Sequence, residues 1–438
     1  MTAAMIHSIL DDWICSNAIS FPLDSSKRLS KAIDRVIASL SDSVELLGFG
    51  EALHGGEEVL LLRNRIFQRL VEVHGYSAIA IESSFPRGRA VNEYVAGRGP
   101  ASYEAVMETG FSHGLGHLEA NRELVEWMRV YNSDPAHRIK LRFYGFDSPT
   151  EMTFTDSPSR VLHFVLDYLA SIDDASAGGR ERRKRIDSLL GEDPDWENPA
   201  AMMDPAESVG LSTEATELRI ETEDLISELS VRRPELVAKS GKNRYLEAVH
   251  YAKVARQLLN YHAVLARKSS DRIALGLGLR DFMMADNLEY IVSCERGRGK
   301  VLVYAHNSHL SRGRAEWQLG ADFLRWWPAG AHLAEIFGPR YAVVGTAVGV
   351  SDENGIGEPE AGTLEAGFAA ASGPGSGLFI PTRRDRGLSA SEIEGLTIRL
   401  GSAKNTTYFP LTPRSLTDFD GLAFLDGVGY SRGGPALL

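Results

Sequence analysis

Several short apolar runs in this chain end in ionisable residues. VELLGFGEA (44–52) runs into Glu51 and then His54, SAIAIESSFP (77–86) carries Glu82, KLRFYGFD (140–147) ends at Asp147, and KVLVYAHNSHL (300–310) reaches His306 and then His309. In open α/β sheets ligands bind at the carboxyl ends of the strands, so groups scattered along the sequence converge there in space. A histidine flanked by carboxylates is suited to general-base work, because a neighbouring anion orients the imidazole and stabilises its protonated form. His54 is the first candidate for that role. Glu51 lies one turn before it and Glu82 is expected from the adjacent strand, either one placed to orient the ring or to hold a water. His306 and His309 are suited to polarising a carbonyl or protonating a leaving oxygen. On a continuous strand these two would point to opposite faces, so both reach one pocket only if the chain turns after Asn307.

Arg63 and Arg65 fall on the helical pattern that follows His54, and Arg63 is more than two turns away, so it faces the pocket only by reaching back along the helix. Arg280 and Asp281 open a second helical pattern, LRDFMMADNLEYIVSC (279–294), that feeds the His306 strand. Other chemistries lack their signatures. There is no G-x-S-x-G elbow, no H-E-x-x-H, no P-loop and no strand-to-helix G-x-G-x-x-G. His113 and His117 (HGLGH) have helical i, i+4 spacing, but the glycines between them weaken a helix, and a loop is expected there rather than a metal pair. His54, Glu82, His306 and His309 include ligand types acceptable to Zn²⁺, an alternative that spacing alone leaves open.

The elements that must position these groups alternate. Helical periodicity over 28–40, 57–75 and 119–132 is interleaved with the apolar runs above and with YAVVGTAVGV (341–350), which makes at least five core strands. Such alternation implies an α/β fold, a mostly parallel central sheet with flanking helices. Between about 151 and 270 the strand signals vanish and helical patterns occupy 159–172, 213–232 and 243–268. The expected organisation is therefore an α/β core in two parts, 1–150 and 271–438, around an inserted helical bundle at 151–270. The basic run Arg180, Arg182, Arg183, Lys184 and Arg185 inside the insertion reads as a solvated face. Residues 354–377, rich in Gly, Ala and Ser, read as a long loop of the kind that forms lids.

Composition narrows the partners. Of 438 residues, 47 are Lys or Arg and 59 are Asp or Glu, a formal charge of −12, which argues against nucleic acid. Cys15 and Cys294 stand far apart, without the spacing of a disulfide framework or a thiolate metal site, as in a reducing cytoplasm. The N-terminal stretch has no basic region and is broken by Asp11 and Asp12, and no run approaches the roughly 18 apolar residues of a membrane span. A soluble, unexported protein without a membrane partner is expected; oligomeric state is not legible.

The motifs GEALHGGEEVLLLR (50–63), SAIAIES around Glu82, EWMRVYN (126–132), RFYGFD (142–147), RDFMMADN (280–287) and VYAHNSHL (303–310) resemble the erythromycin esterase family over most of the chain. The resemblance implies a metal-independent, cofactor-free enzyme whose cleft binds a macrolide and whose histidine activates water to open the lactone. It implies His54 as general base, Glu51 and Glu82 orienting it or the water, and His306 and Arg63 assisting at the ester, with Asp147, Arg280 and His309 at further motif positions that contact substrate. A directly activated water also accounts for the missing serine nucleophile. Leu53, where the family commonly has a small hydroxyl residue, the 354–377 stretch and the terminal YSRGGPALL depart from the pattern. Fold kinship does not establish hydrolysis, and the same groups serve a biosynthetic polyketide-tailoring enzyme that removes water or closes an oxygen ring. A protein that sequesters an apolar ligand without turnover is the non-enzymatic alternative.

Overall fold

The computed structural model describes residues 3–151, 154–173, 177–382, 388 and 390–435. Eight strands form its main sheet: β1 (Ile19–Pro22), β2 (Leu46–Glu51), β3 (Tyr76–Ser84), β4 (Arg142–Asp147), β5 (Lys300–His306), β6 (Tyr341–Val350), β7 (Ser376–Pro381) and β8 (Gly421–Gly427). Their spatial order is β1-β7-β8-β6-β2-β5-β3-β4. All pairings from β8 through to β4 are parallel, and the two at one edge, β8 with β7 and β7 with β1, are antiparallel, so that β7 runs against the other seven strands. The fold is thus the expected α/β architecture with a mostly parallel sheet. The five strands read from sequence are all present.

Parallel strands buried on both faces become near-continuous apolar runs, and alternate residues then enter separate cores. Along β5, Val301, Val303 and Ala305 join one core and Leu302 and Tyr304 the other. The first core is covered by helices Ser159–Asp173, Thr213–Val231, Lys242–Leu265 and Arg272–Glu295, and the second by Ser26–Ile37, Glu57–Val73 and Glu119–Ser133. The three unread strands had weaker signals. β1 spans four residues and ends in proline, and β7 lies at the end of the Gly-rich stretch.

That stretch corrects an expectation. Residues 354–377 are not a continuous loop: Leu364–Ala371 is a helix whose Leu364, Glu365 and Phe368 are buried. Gly367 lies against Leu10 and Ile14 of the helix Ala3–Asn17. Small residues here permit close helix packing, and low bulk was misread as lack of packing. The basic run lies on Ala177–Leu190, where Arg185 meets Glu221 at 3.0 Å and Lys184 meets Glu181 at 3.4 Å. Ion pairing with neighbouring acidic side chains occupies that face. Among the described residues, no helix is long and apolar enough to cross a membrane.

Candidate active site

The carboxyl ends of β2, β5, β3 and β4 lie side by side in that order, and they bring Glu51, His306, Glu82 and Asp147 to one sheet edge. One neighbour relation differs from the sequence reading. Glu82 does not come from the strand beside Glu51; β5 stands between them, with Glu51 in register with His306. Gly50 allows the chain after β5 to fold tightly here, because a Cβ at Gly50 would meet Asn307 Oδ1 at 2.2 Å. Asn307 itself accepts Thr346 N–H at 3.1 Å and donates to Thr346 O at 2.8 Å, tying this turn to β6.

His54 is the accessible member of the group. Its side chain is 48% exposed while Glu51 is buried, and Nδ1 lies 2.5 Å from Glu51 Oε1. The other carboxylate oxygen of Glu51 accepts the Tyr304 hydroxyl, and the buried Arg63 guanidinium stacks 4.7 Å from the Tyr304 ring centre. Arg63 therefore does reach back beneath the site, through Tyr304. Burial opposes protonation of His54, but the Glu51 charge and hydrogen bond, together with Glu82, outweigh it and lift its pKa to about 9.

His306 behaves oppositely. Burial and the neighbouring His54 charge push its pKa down to about 3, so the ring is neutral. Its Nε2 is 2.7 Å from the Thr407 carbonyl, which can only accept, so Nε2 carries the proton. Nδ1 then accepts, lying 2.6 Å from Ser308 Oγ. Both ring nitrogens are engaged, and the ring sits 5.0 Å from that of His54.

The remaining charges form a buried network. Glu82 accepts the His306 backbone N–H at 2.8 Å and lies 3.3 Å from both Arg280 and His309. Arg280 donates to Asp147 through Nε at 3.0 Å and Nη2 at 2.6 Å, and His113 reaches the same carboxylate at 2.9 Å. Burial disfavours ionised Glu82 and Asp147, yet His309, His54 and Arg280 around the first, and Arg280 and His113 around the second, hold both below ordinary carboxylate values. The chain does turn after His306, into the short helix Asn307–Leu310, which swings His309 round to Glu82 and to Asp281 at 2.7 Å. Burial opposes protonation of His309, and Asp281 and Glu82 raise its pKa. Asp147 and Arg280 thus pair directly, and His309 joins them through Glu82.

Sequence reasoning missed several participants. Tyr304 and Asp281 lie inside quoted motifs, while His113, with a left-handed φ of 57°, was read only against His117. His117 instead pairs with Glu108 at 3.1 Å, as a loop permits. Among the described residues no group of three or more His, Cys, Asp or Glu is arranged to hold a metal ion. Thr407 and Asn405 had no local signal at all. The terminal YSRGG also packs here: Ser431 N–H donates to Gly55 O at 2.9 Å, and Arg432 Nε meets Glu57 at 2.6 Å.

A mostly parallel sheet that gathers histidines and carboxylates at its carboxyl edge places the chain among α/β proteins whose candidate site lies at that edge. The erythromycin esterase family pattern matches residues 71–428, and the chain belongs to that family. The match begins after the Glu51–His54 turn. Erythromycin esterase type II of Escherichia coli is 24% identical over 351 residues, 76% of each chain. Two solved structures share the fold: a Bacillus cereus protein (TM-score 0.73, 20% identity, 98% of this chain and 99% of that one) and an erythromycin esterase EreC mutant in its open conformation (0.68, 17%, 96% and 100%). Family membership supports esterase-like hydrolase chemistry.

Proposed function

We propose that the site opens a macrolactone ester with a water activated directly by His54, without a covalent enzyme intermediate. The observation that carries this reading is the half-exposed His54 imidazole held 2.5 Å from buried Glu51. In neutral His54, Nδ1–H donates to Glu51 and Nε2 is left as the base. Water loses a proton to Nε2 as its oxygen bonds to the ester carbonyl carbon. The imidazolium, stabilised by Glu51 and Glu82, then protonates the departing alkoxide as the C–O bond breaks. Arg280 contributes positive potential behind the site, Asp281 and Glu82 favour the protonated form of His309 beside it, and His306 packs as a neutral ring beside the base. The base–carboxylate pair needs no cofactor for these steps. The substrate is a macrolide or related polyketide, and the setting is the cytoplasm.

The Glu51 carboxylate 2.5 Å from His54 also favours a second reading, because it stabilises the protonated ring. A histidine with a pKa of about 9 carries its proton at neutral pH, which suits an acid that expels a hydroxyl or assists ring closure in polyketide tailoring. Incubation with a panel of macrolactones and pathway-type polyketides, read by mass spectrometry against His54→Ala, separates the two. A His54-dependent gain of one water supports ester opening; loss of one water, or an isomer, assigns the tailoring reaction. Full turnover by His54→Ala refutes both.

A further inference from the structure

The His54 turn is gripped from outside by a strap of chain, 399–411, that crosses the sheet edge. Phe409 N–H donates to Ala52 O at 2.7 Å, His54 N–H donates to Thr407 Oγ1 at 3.0 Å, and Asn405 Nδ2 donates to His54 O at 3.0 Å. Three backbone groups of one turn thus find their partners on the strap. The Thr407 hydroxyl donates to Asn405 Oδ1 at 2.6 Å, which leaves its lone pairs to accept from His54. The carbonyl of the same residue holds His306 Nε2–H at 2.7 Å.

The strap is anchored on both sides of this contact. Buried Arg399 donates to Val348 O and Gly349 O, each at 2.6 Å, at the end of β6. Leu411 N–H donates to Glu365 Oε1 at 2.8 Å, and Asn405 reaches Asn354 Oδ1 at 2.8 Å. These partners are buried, so the strap has a fixed place in the core. The half-exposed imidazole packs on one side against the His306 ring, 5.0 Å away. Its aim is set by its own backbone, by that ring and by Glu51.

We propose that Thr407 and Asn405 are positioning residues, which fix the His54 backbone and the His306 ring so that His54 Nδ1 stays on Glu51. The proposal rests on His54 being the acid–base group of this site. It predicts that loosening the turn uncouples His54 from Glu51. The charged and titratable groups around His54 are Glu51, Glu82, Arg280 and His306; the strap meets His54 with the Thr407 hydroxyl and the Asn405 amide.

The test compares Thr407→Val, which keeps shape but removes the acceptor, with Thr407→Ser, which restores it. Two readouts are taken on the full chain: the His54 ring titration by NMR, and kcat and KM on a substrate established by the mass-spectrometric panel. Expected for Thr407→Val is a His54 titration moved down by at least about one pH unit, toward the ordinary value. The expected kcat loss is roughly tenfold to a hundredfold with KM within about twofold, as for misplacement of a catalytic group. Thr407→Ser returns both values. A wild-type His54 titration in folded Thr407→Val overturns the proposal, as does a kcat loss that Thr407→Ser fails to rescue. Because the titration needs no substrate, it decides the positioning role even if His54→Ala refutes the catalytic reading.

Discussion

Glu51→Gln separates the two services that the carboxylate performs for His54. As a charge it raises the His54 pKa to about 9, so at pH 7 only roughly 1% of the rings are neutral, against about three quarters for an ordinary histidine. As an acceptor at 2.5 Å it selects the tautomer with Nδ1 protonated and Nε2 free. Glutamine removes the charge. Its carbonyl can keep the Tyr304 hydroxyl, but its amide then donates to Nδ1 and favours the tautomer with Nε2 blocked. The ring is half exposed and Glu82 remains, so solvent screening limits the expected fall in pKa to about one to two units. The misdirected ring lowers the alkaline plateau by about a hundredfold. At pH 7 the larger neutral fraction offsets about tenfold to fiftyfold of that loss, so the defect is smaller at neutral pH than at pH 10. The assay is kcat/KM against pH from 6 to 10 on a confirmed substrate. An acidic limb that stays in place or moves upward in Glu51→Gln refutes the pairing argument.

Two further outcomes follow from the buried network. Asp147→Asn leaves the Arg280 guanidinium short of its main anion and lowers stability by about 3 kcal/mol, read from urea midpoints; an unchanged midpoint would mean that Glu82 alone neutralises Arg280. Each shifted group changes stability with pH in its own direction. His54 is raised, so its pairing stabilises fully below about pH 6.5 and is lost as pH rises through about 9. Glu82 and Asp147 are lowered, so theirs is present above about pH 4.5 and lost as pH falls. Burial holds His262 down to about 4, which adds a penalty as pH drops from about 6.5. Thermal unfolding across pH 4–10 is therefore expected to peak near neutrality, and a melting temperature that climbs steadily to pH 10 would contradict the raised His54.

Much of the core was legible because its signals are local. Each of β2 to β6 is a compact apolar run bounded by turns, and although any one ionisable strand end could be a cap or a satisfied core group, four that agree point to one site. The order of those strands was not legible. Nothing in SAIAIES states that β5 will lie between it and β2, since that choice depends on crossover packing among helices distant in sequence. The Gly-rich 354–377 segment misled for a related reason. Its small residues signal flexibility when read alone, and close approach once Leu10 and Ile14 are found against Gly367.

The amino-acid sequence by itself determined an α/β sheet, the histidines and carboxylates at its carboxyl edge, and the family whose motifs they fill. Periodicity, strand-end polarity and short motifs are properties of neighbouring residues. Only the tertiary structure decided which nitrogen each histidine presents. His54 and His306 share a residue type and a sheet edge, yet one faces Glu51 at 2.5 Å and the other spends both nitrogens on Ser308 and Thr407. A side chain's protonation and tautomer are set by the field and partners around it, and those partners come from positions hundreds of residues apart.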